Sequence, residues 1–187
     1  MTVLIAFATV EGQTAKIANF INDITTAAGY TANLINTDAL TGQVSLDSID
    51  QVILLAPVHQ RRHPKSFEAF VSSHKEALAA VKSLVLSVSL KAAFASGQEE
   101  AWDYLTEMLL RTNLKPDASA LVAGAVRPES YDYFDKEIIQ HVVLLGQKVN
   151  PKDGTQEFTD WDALQSTVMG FLDGSDVTNT DLSQISR

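Results

Sequence analysis

The sequence contains no cysteine. That excludes disulfides, thiolate-ligated metals and thiol nucleophiles, and it is the usage expected of a cytoplasmic protein. No apolar run approaches the roughly 18 residues that a membrane-spanning helix needs. Basic residues are scarce, with 14 Lys and Arg against 23 Asp and Glu and a net charge of −9. A chain so acidic lacks the surface that general nucleic-acid binding requires, and it is unsuited to a purely electrostatic hold on anionic lipid. Two glycine signatures are missing as well. There is no Gly-x-x-x-x-Gly-Lys-Ser/Thr for a nucleotide P-loop and no Gly-x-Gly-x-x-Gly for a dinucleotide. The first residues lack a basic start and a cleavage pattern, so Met1 to Ala8 is expected to be a strand and not a leader. What remains is 187 residues, 45% of them apolar, enough for one domain with a full core.

Strand-like and helix-like segments alternate along the chain. Strands are expected near Thr2–Ala8, Thr31–Asn36, Gln51–Ala56, Ser83–Val88 and Ser119–Val126. Val52-Ile53-Leu54-Leu55-Ala56 is continuously apolar, as a parallel strand covered on both faces must be. Ile17, Phe20, Ile21, Ile24 and Ala28 predict a helix near Thr14–Ala28, and Phe67, Phe70, Val71, His74 and Leu78 predict one after Pro64. Ser96 and Glu99 have the spacing of a capping box for a helix to about Arg111. A further apolar helix is expected near Phe134–Val149, inserted after the fifth strand beside an aromatic patch of Tyr131, Tyr133 and Phe134. Beyond it come a short strand at Gln156–Phe158 and a last helix capped by Thr159 or Asp160. The predicted architecture is α/β, a doubly wound five-stranded parallel sheet in the order 2-1-3-4-5. Residues 1–173 form the domain and residues 174–187 a polar tail.

In such a sheet, ligands bind beyond the C-terminal strand ends where the winding reverses. That brings together three loops: Thr9–Thr14, Pro57–His63 and Ser89–Gly97. The first, Thr9-Val10-Glu11-Gly12-Gln13-Thr14, runs from an apolar strand into a helix. Free amides and the positive helix end converge there, two threonines offer hydroxyls, and Gly12 permits close approach by an anion. No lysine or arginine lies within it, so a phosphate would be held by dipoles with little charge neutralisation. The plainer reading of the same residues is a polar turn with a helix cap.

This loop, between its apolar strand and its helix, resembles the phosphate loop of the flavodoxins. Gly12-Gln13-Thr14 with Lys16-Ile17-Ala18 behind it is most similar to the menaquinone-dependent protoporphyrinogen oxidases, flavodoxin-like enzymes of haem synthesis. Phe67-Glu68-Ala69-Phe70-Val71, Ser87-Val88-Ser89-Leu90, Ala123-Gly124-Ala125-Val126-Arg127 and Phe158-Thr159-Asp160-Trp161 resemble further stretches of that family in order. The resemblance implies a flavodoxin-like fold with one non-covalent FMN. Its phosphate would sit on Thr9, Val10, Glu11, Gly12, Gln13 and Thr14, and its ring near Val58, His59, Gln60 and Arg61 and near Ser87, Val88, Ser89 and Leu90. The implied activity is an FMN-dependent oxidoreductase that passes electrons from a porphyrinogen to a quinone. The alternative is a flavodoxin-type carrier between protein partners, which the acidic balance and the lack of a basic run after Leu90 favour. His59-Gln60-Arg61 stands where the family has Arg-Tyr-Gly, and Ser89 where it has Asn. Implied surroundings are cytoplasmic, with peripheral contact at the inner face of the membrane, or a homodimer, through the inserted helix.

His59 and His63 flank two arginines. Either could stack on a flavin or move a proton, and the plain reading is a solvated loop, which fits His63 better. With no third histidine or carboxylate nearby in sequence they do not suggest a metal site, so none is expected. His74 and His141 fall at helical positions, as packing or surface residues.

Overall fold

A computed structural model describes residues 1–42, 44–127 and 154–175, and the backbone of 180–181. The inserted helix expected near 134–149 and its aromatic patch lie outside these residues.

The strands are β1 (Thr2–Phe7), β2 (Thr31–Asn36), β3 (Gln51–Pro57), β4 (Lys82–Ser89) and β5 (Ala118–Ala123). They pair in parallel in the order β2-β1-β3-β4-β5, as the alternation predicts. Because side chains alternate across a strand, each strand feeds two cores. Val3, Ile5 and Phe7 of β1, with Ile53 and Leu55 of β3, pack beneath α1 (Gln13–Ala27) and α5 (Trp161–Asp173). Leu4, Ala6 and Ala8, with Val52, Leu54 and Ala56, pack beneath α2 (Lys65–Ser73) and α4 (Gln98–Thr112). Residues on β1 and β3 are therefore almost fully buried on both faces, while β2 at the edge stays half-exposed. Full burial of each Leu or Ile side chain contributes about 1.5–3 kcal/mol, which makes this two-sided burial the main stabilising term.

Four departures from the predicted elements have physical causes. The helix after Pro64 breaks at His74, and α3 (Lys75–Leu78) follows. His74 makes the break useful. Its Nδ1 meets the Phe70 carbonyl at 2.8 Å and its Nε2 the Val44 carbonyl at 3.1 Å, tying α2 to the β2–β3 connection. The Ser96–Glu99 capping box does not form. Helix α4 begins at Gln98 with Gly97 at its N-cap and no side-chain cap. A Cβ on Gly97 would stand 2.4 Å from the Lys91 carbonyl oxygen, so packing of the preceding loop sets this helix start. The fifth strand is interrupted at Gly124. Beyond it β6 (Ala125–Val126) leaves the main sheet and pairs antiparallel with β7 (Gln156–Glu157). Finally, β8 (Thr180–Asp181) lies parallel to β5 as a sixth strand, which the polar composition of that stretch does not suggest.

His63 is the other surprise. The sequence favours a solvated loop position, yet the ring is 2% exposed between β4 and α2. Its Nε2 meets Ser87 Oγ at 2.9 Å, and its Nδ1 is buried without a hydrogen bond among the described residues. Burial drives its pKa down to about 4; the nearby Glu68 carboxylate only partly opposes this. The carboxyl of Glu68 is itself pushed up by burial. Hydrogen bonds from Arg111 and Arg62 outweigh that and hold it below the usual range.

The packing of these two residues can be tested in solution. An unfolded imidazole takes up a proton below about 6.5, whereas the buried His63 stays neutral down to about 4. Stability therefore falls as pH drops through that window and levels off beneath it, by of order 3 kcal/mol for this one group. Denaturant titrations of wild type and His63→Gln from pH 7 to 4 should differ in slope across the window; parallel curves would refute the assignment. Gly97→Ala should lower stability by about 1–3 kcal/mol, because backbone must move to admit the methyl group; an unchanged urea midpoint would count against it.

Candidate cofactor site at the strand ends

Loop one is built by β1 ending against α1. Gly12 adopts φ 87° and ψ −13°, the left-handed region that glycine tolerates best, and α1 starts at the next residue. The Gly12 amide donates to Thr9 Oγ1 at 3.1 Å, and the Thr9 amide donates to Asp38 Oδ2 at 2.9 Å. The first turn of α1 holds no acidic residue and no side-chain cap, which leaves the positive helix end available to an anion. Val10 is exposed, Glu11 is half-buried and Thr14 is buried at the helix start.

Gln13 is buried and works as a tie rather than a lining group. Its Nε2 donates to Thr159 Oγ1 at 3.0 Å, and that hydroxyl donates on to the Ala123 carbonyl at 2.7 Å. Arg127 Nη2 donates to Gln13 Oε1 at 2.8 Å. Loop one is thereby fastened to the end of β5 and to β6. Asp160, not Thr159, caps α5 by accepting from the Ala163 amide at 2.9 Å. Sequence reasoning gives Arg127 no role of its own, because nothing local marks it; only the turn of the strand at Gly124 brings it 114 residues back to loop one.

Loop two leaves β3 with the Val58 amide donating to the Val88 carbonyl at 2.7 Å, so it is sewn to β4. His59 and Arg62 then exchange both backbone hydrogen bonds, at 2.9 and 3.1 Å, around Gln60 and Arg61. Those two residues have φ of 49° and 64°. Consecutive left-handed residues make a tight turn of the type usually given to Asn-Gly. Here two ordinary side chains carry it, at a cost of about 1–3 kcal/mol each. His59 Nδ1 lies 3.6 Å from Glu11 Oε1, which joins loop two to loop one.

Loop three differs from its sequence reading in depth. Ser87, Val88 and Ser89 are all buried. Ser87 Oγ faces His63, Val88 packs in the core, and Ser89 Oγ accepts from the Ala92 amide at 3.1 Å. Leu90 is the one that reaches a surface, packing with Phe94 and Phe158 around buried Val126 as a small apolar wall. Phe94 and Phe158 meet edge to face at 5.5 Å. Loops two and three are bridged by charge. Arg61 lies 3.7 Å from Glu100 and over the Tyr104 ring, while Lys91 Nζ is 2.9 Å from Glu100. Tyr104 also donates a hydrogen bond to Glu100, and with Lys91 it holds that carboxyl below its usual range. Burial, then the Glu100 contact, raises the Tyr104 hydroxyl. Among the described residues no three His, Cys, Asp or Glu side chains gather as a metal site would need. No described helix is long and apolar enough to cross a membrane.

The chain and its fold have counterparts among known proteins. The chain is 25% identical over 163 residues to protoporphyrinogen IX dehydrogenase (quinone) of Escherichia coli, spanning 87% of this chain and 90% of that one. In three dimensions it superposes on a short-chain flavodoxin associated with a bacterial microcompartment, with a TM-score of 0.57 and 12% identity over 94% of this chain and 99% of the other. Oxidised flavodoxin from Bacillus cereus gives a TM-score of 0.54 at 15% identity over 94% and 100%. The flavodoxin domain matches residues 4–152. By sequence as well as by architecture, the chain is a member of the flavodoxin domain family.

Proposed function

We propose that this protein binds FMN at the three strand-end loops and uses it to oxidise a porphyrinogen, with a quinone as electron acceptor. The observation that carries the reading is the end-to-end relationship to the quinone-dependent protoporphyrinogen IX dehydrogenase, which leaves neither chain with a large unmatched part. The residues present fit the cofactor. Gly12 sits at positive φ at an uncapped helix start, with the Thr9 and Thr14 hydroxyls beside it, which suits a phosphate. With left-handed backbone at Gln60 and Arg61, loop two keeps a tight turn without the glycine that the related family uses. Leu90 and Phe94 present apolar surface of the kind that a flavin ring stacks against.

Bound FMN supplies reversible two-electron chemistry. The protein supplies position and charge. Thr9, Val10, Glu11, Gly12 and Thr14 would hold the phosphate end, with buried Gln13 tying the loop in place, and Val58 to Arg61 with Ser89 and Leu90 would flank the ring. Buried Ser87 and Val88 set the height of loop three, and the Arg61–Glu100–Lys91 cluster limits its separation from loop two. His59, whose Nδ1 lies 3.6 Å from Glu11 Oε1, would accept a proton released from substrate in this reading. The net charge of −9 supports a second reading, a carrier that docks on basic protein partners.

Two measurements test the proposal, the first its cofactor site and the second the choice between enzyme and carrier. Apoprotein mixed with FMN should show shifted flavin absorbance and quenched fluorescence, and Gly12→Glu with Thr14→Ala should weaken binding by about 100-fold or more by adding bulk and charge and removing a donor. Unchanged affinity would place the phosphate elsewhere. In an anaerobic assay corrected for autoxidation, the FMN-loaded protein should convert protoporphyrinogen IX to protoporphyrin only when a menaquinone analogue is present. Flavin reduction by protein donors with no porphyrin formed would establish the carrier instead.

A further inference from the structure

The phosphate loop brings no cation of its own and includes one carboxylate, Glu11. A phosphate monoester carries close to two negative charges at neutral pH. Helix dipoles and amides stabilise such a charge by partial charges alone, and a guanidinium nearby adds a full one. The fold delivers one from the far end of the sheet. Ala125 and Val126 are buried, and β6 is clasped by β7, so the backbone entering Arg127 is fixed. Pro128 in the sequence disfavours the helical region for Arg127 and favours an extended chain there. The side chain then crosses to loop one. Its Nη2 donates to buried Gln13, the first residue of α1. Its Nη1 comes within 3.8 Å of where a Cβ on Gly12 would stand. The guanidinium thus lies against the two residues at which the loop becomes a helix.

We infer that Arg127 is a specificity residue, the cation that makes this site prefer the phosphorylated flavin over riboflavin. The inference rests on the reading of Thr9–Thr14 as the FMN phosphate loop. It adds that selectivity comes from a residue outside the loop. It also gives Gln13 a part, since its amide is held between Thr159 and Arg127 and fixes where the guanidinium stands.

The test compares dissociation constants for FMN and riboflavin, measured by fluorescence quenching, in the wild-type chain, Arg127→Met and Arg127→Lys. Arg127→Met should weaken FMN by about tenfold or more and leave riboflavin within about twofold. Arg127→Lys, which keeps the charge, should retain most of the preference. In the wild type the FMN-to-riboflavin preference should narrow as salt is raised, as a charge-based preference must. A residue that merely held the loop in shape would weaken both flavins together, and that result would overturn the inference. So would unchanged FMN binding in Arg127→Met or, should that variant not fold, a wild-type preference insensitive to salt. A wild-type chain that binds riboflavin as tightly as FMN would overturn it while leaving flavin binding intact. Failure to bind either flavin would instead defeat the cofactor reading on which it stands.

Discussion

Everything in this molecule depends on burying β1, β3 and β4 from both sides. Parallel strands with apolar residues on both faces are stable only when helices cover each face. Satisfying that requirement puts α1 and α5 on one face and α2 and α4 on the other, and the connections into these helices leave from the same C-terminal end of the parallel strands. The three loops are therefore brought together by the core and not by affinity for one another. Polar contacts tie them to one another and to their surroundings: His59 of loop two with Glu11 of loop one, Arg61 of loop two with Glu100 of α4, and Arg127 beyond β6 with Gln13 of loop one. The exposed pairs among these are worth little in stability. Their use is to set spacing between loops that the sheet has already made neighbours.

This division explains what could be read from the sequence. The continuous run Val52–Ala56 and the helical spacing of Ile17, Phe20, Ile21 and Ile24 state their environments in local pattern, and the strand order follows from them. Gly12 at the mouth of a helix is similarly local. Arg127, His63 and Gly97 are different. Arg127 matters because a bend at Gly124 aims it across the sheet. His63 is buried because Ser87, on the neighbouring strand, offers its Nε2 a partner. Gly97 is required by the Lys91 carbonyl folding back on it. For Arg127 and His63 the deciding neighbour is distant in sequence, and for Gly97 it is the path of the preceding loop, which no periodicity or capping rule supplies. Ser87 and Val88 run the other way: motif resemblance puts them at the flavin ring, and the sheet buries both side chains.

Polar groups inside the structure are handled in two ways. Glu68 is compensated on both sides, by Arg62 from loop two and Arg111 from α4, so a buried carboxylate links three elements at little net cost. His63 is kept neutral instead. His63 ends loop two and Glu68 stands in the first turn of α2 just beyond it, and the turn of that loop contains two residues in strained backbone. A loop supported from below by fixed hydrogen bonds can hold such a turn in place, and strained backbone held this firmly is a common mark of a working site.

The pairing of β6 with β7 has a consequence for how such a chain can change. These two strands bring Val126 opposite Gln156, so the sequence between them departs and returns at one place. The pairs that set the register of β1 to β5 all lie outside that stretch. A change in its length or composition therefore leaves every one of those paired residues in place. Descendants of one ancestral scaffold could in this way acquire different partners while keeping the same cofactor cradle.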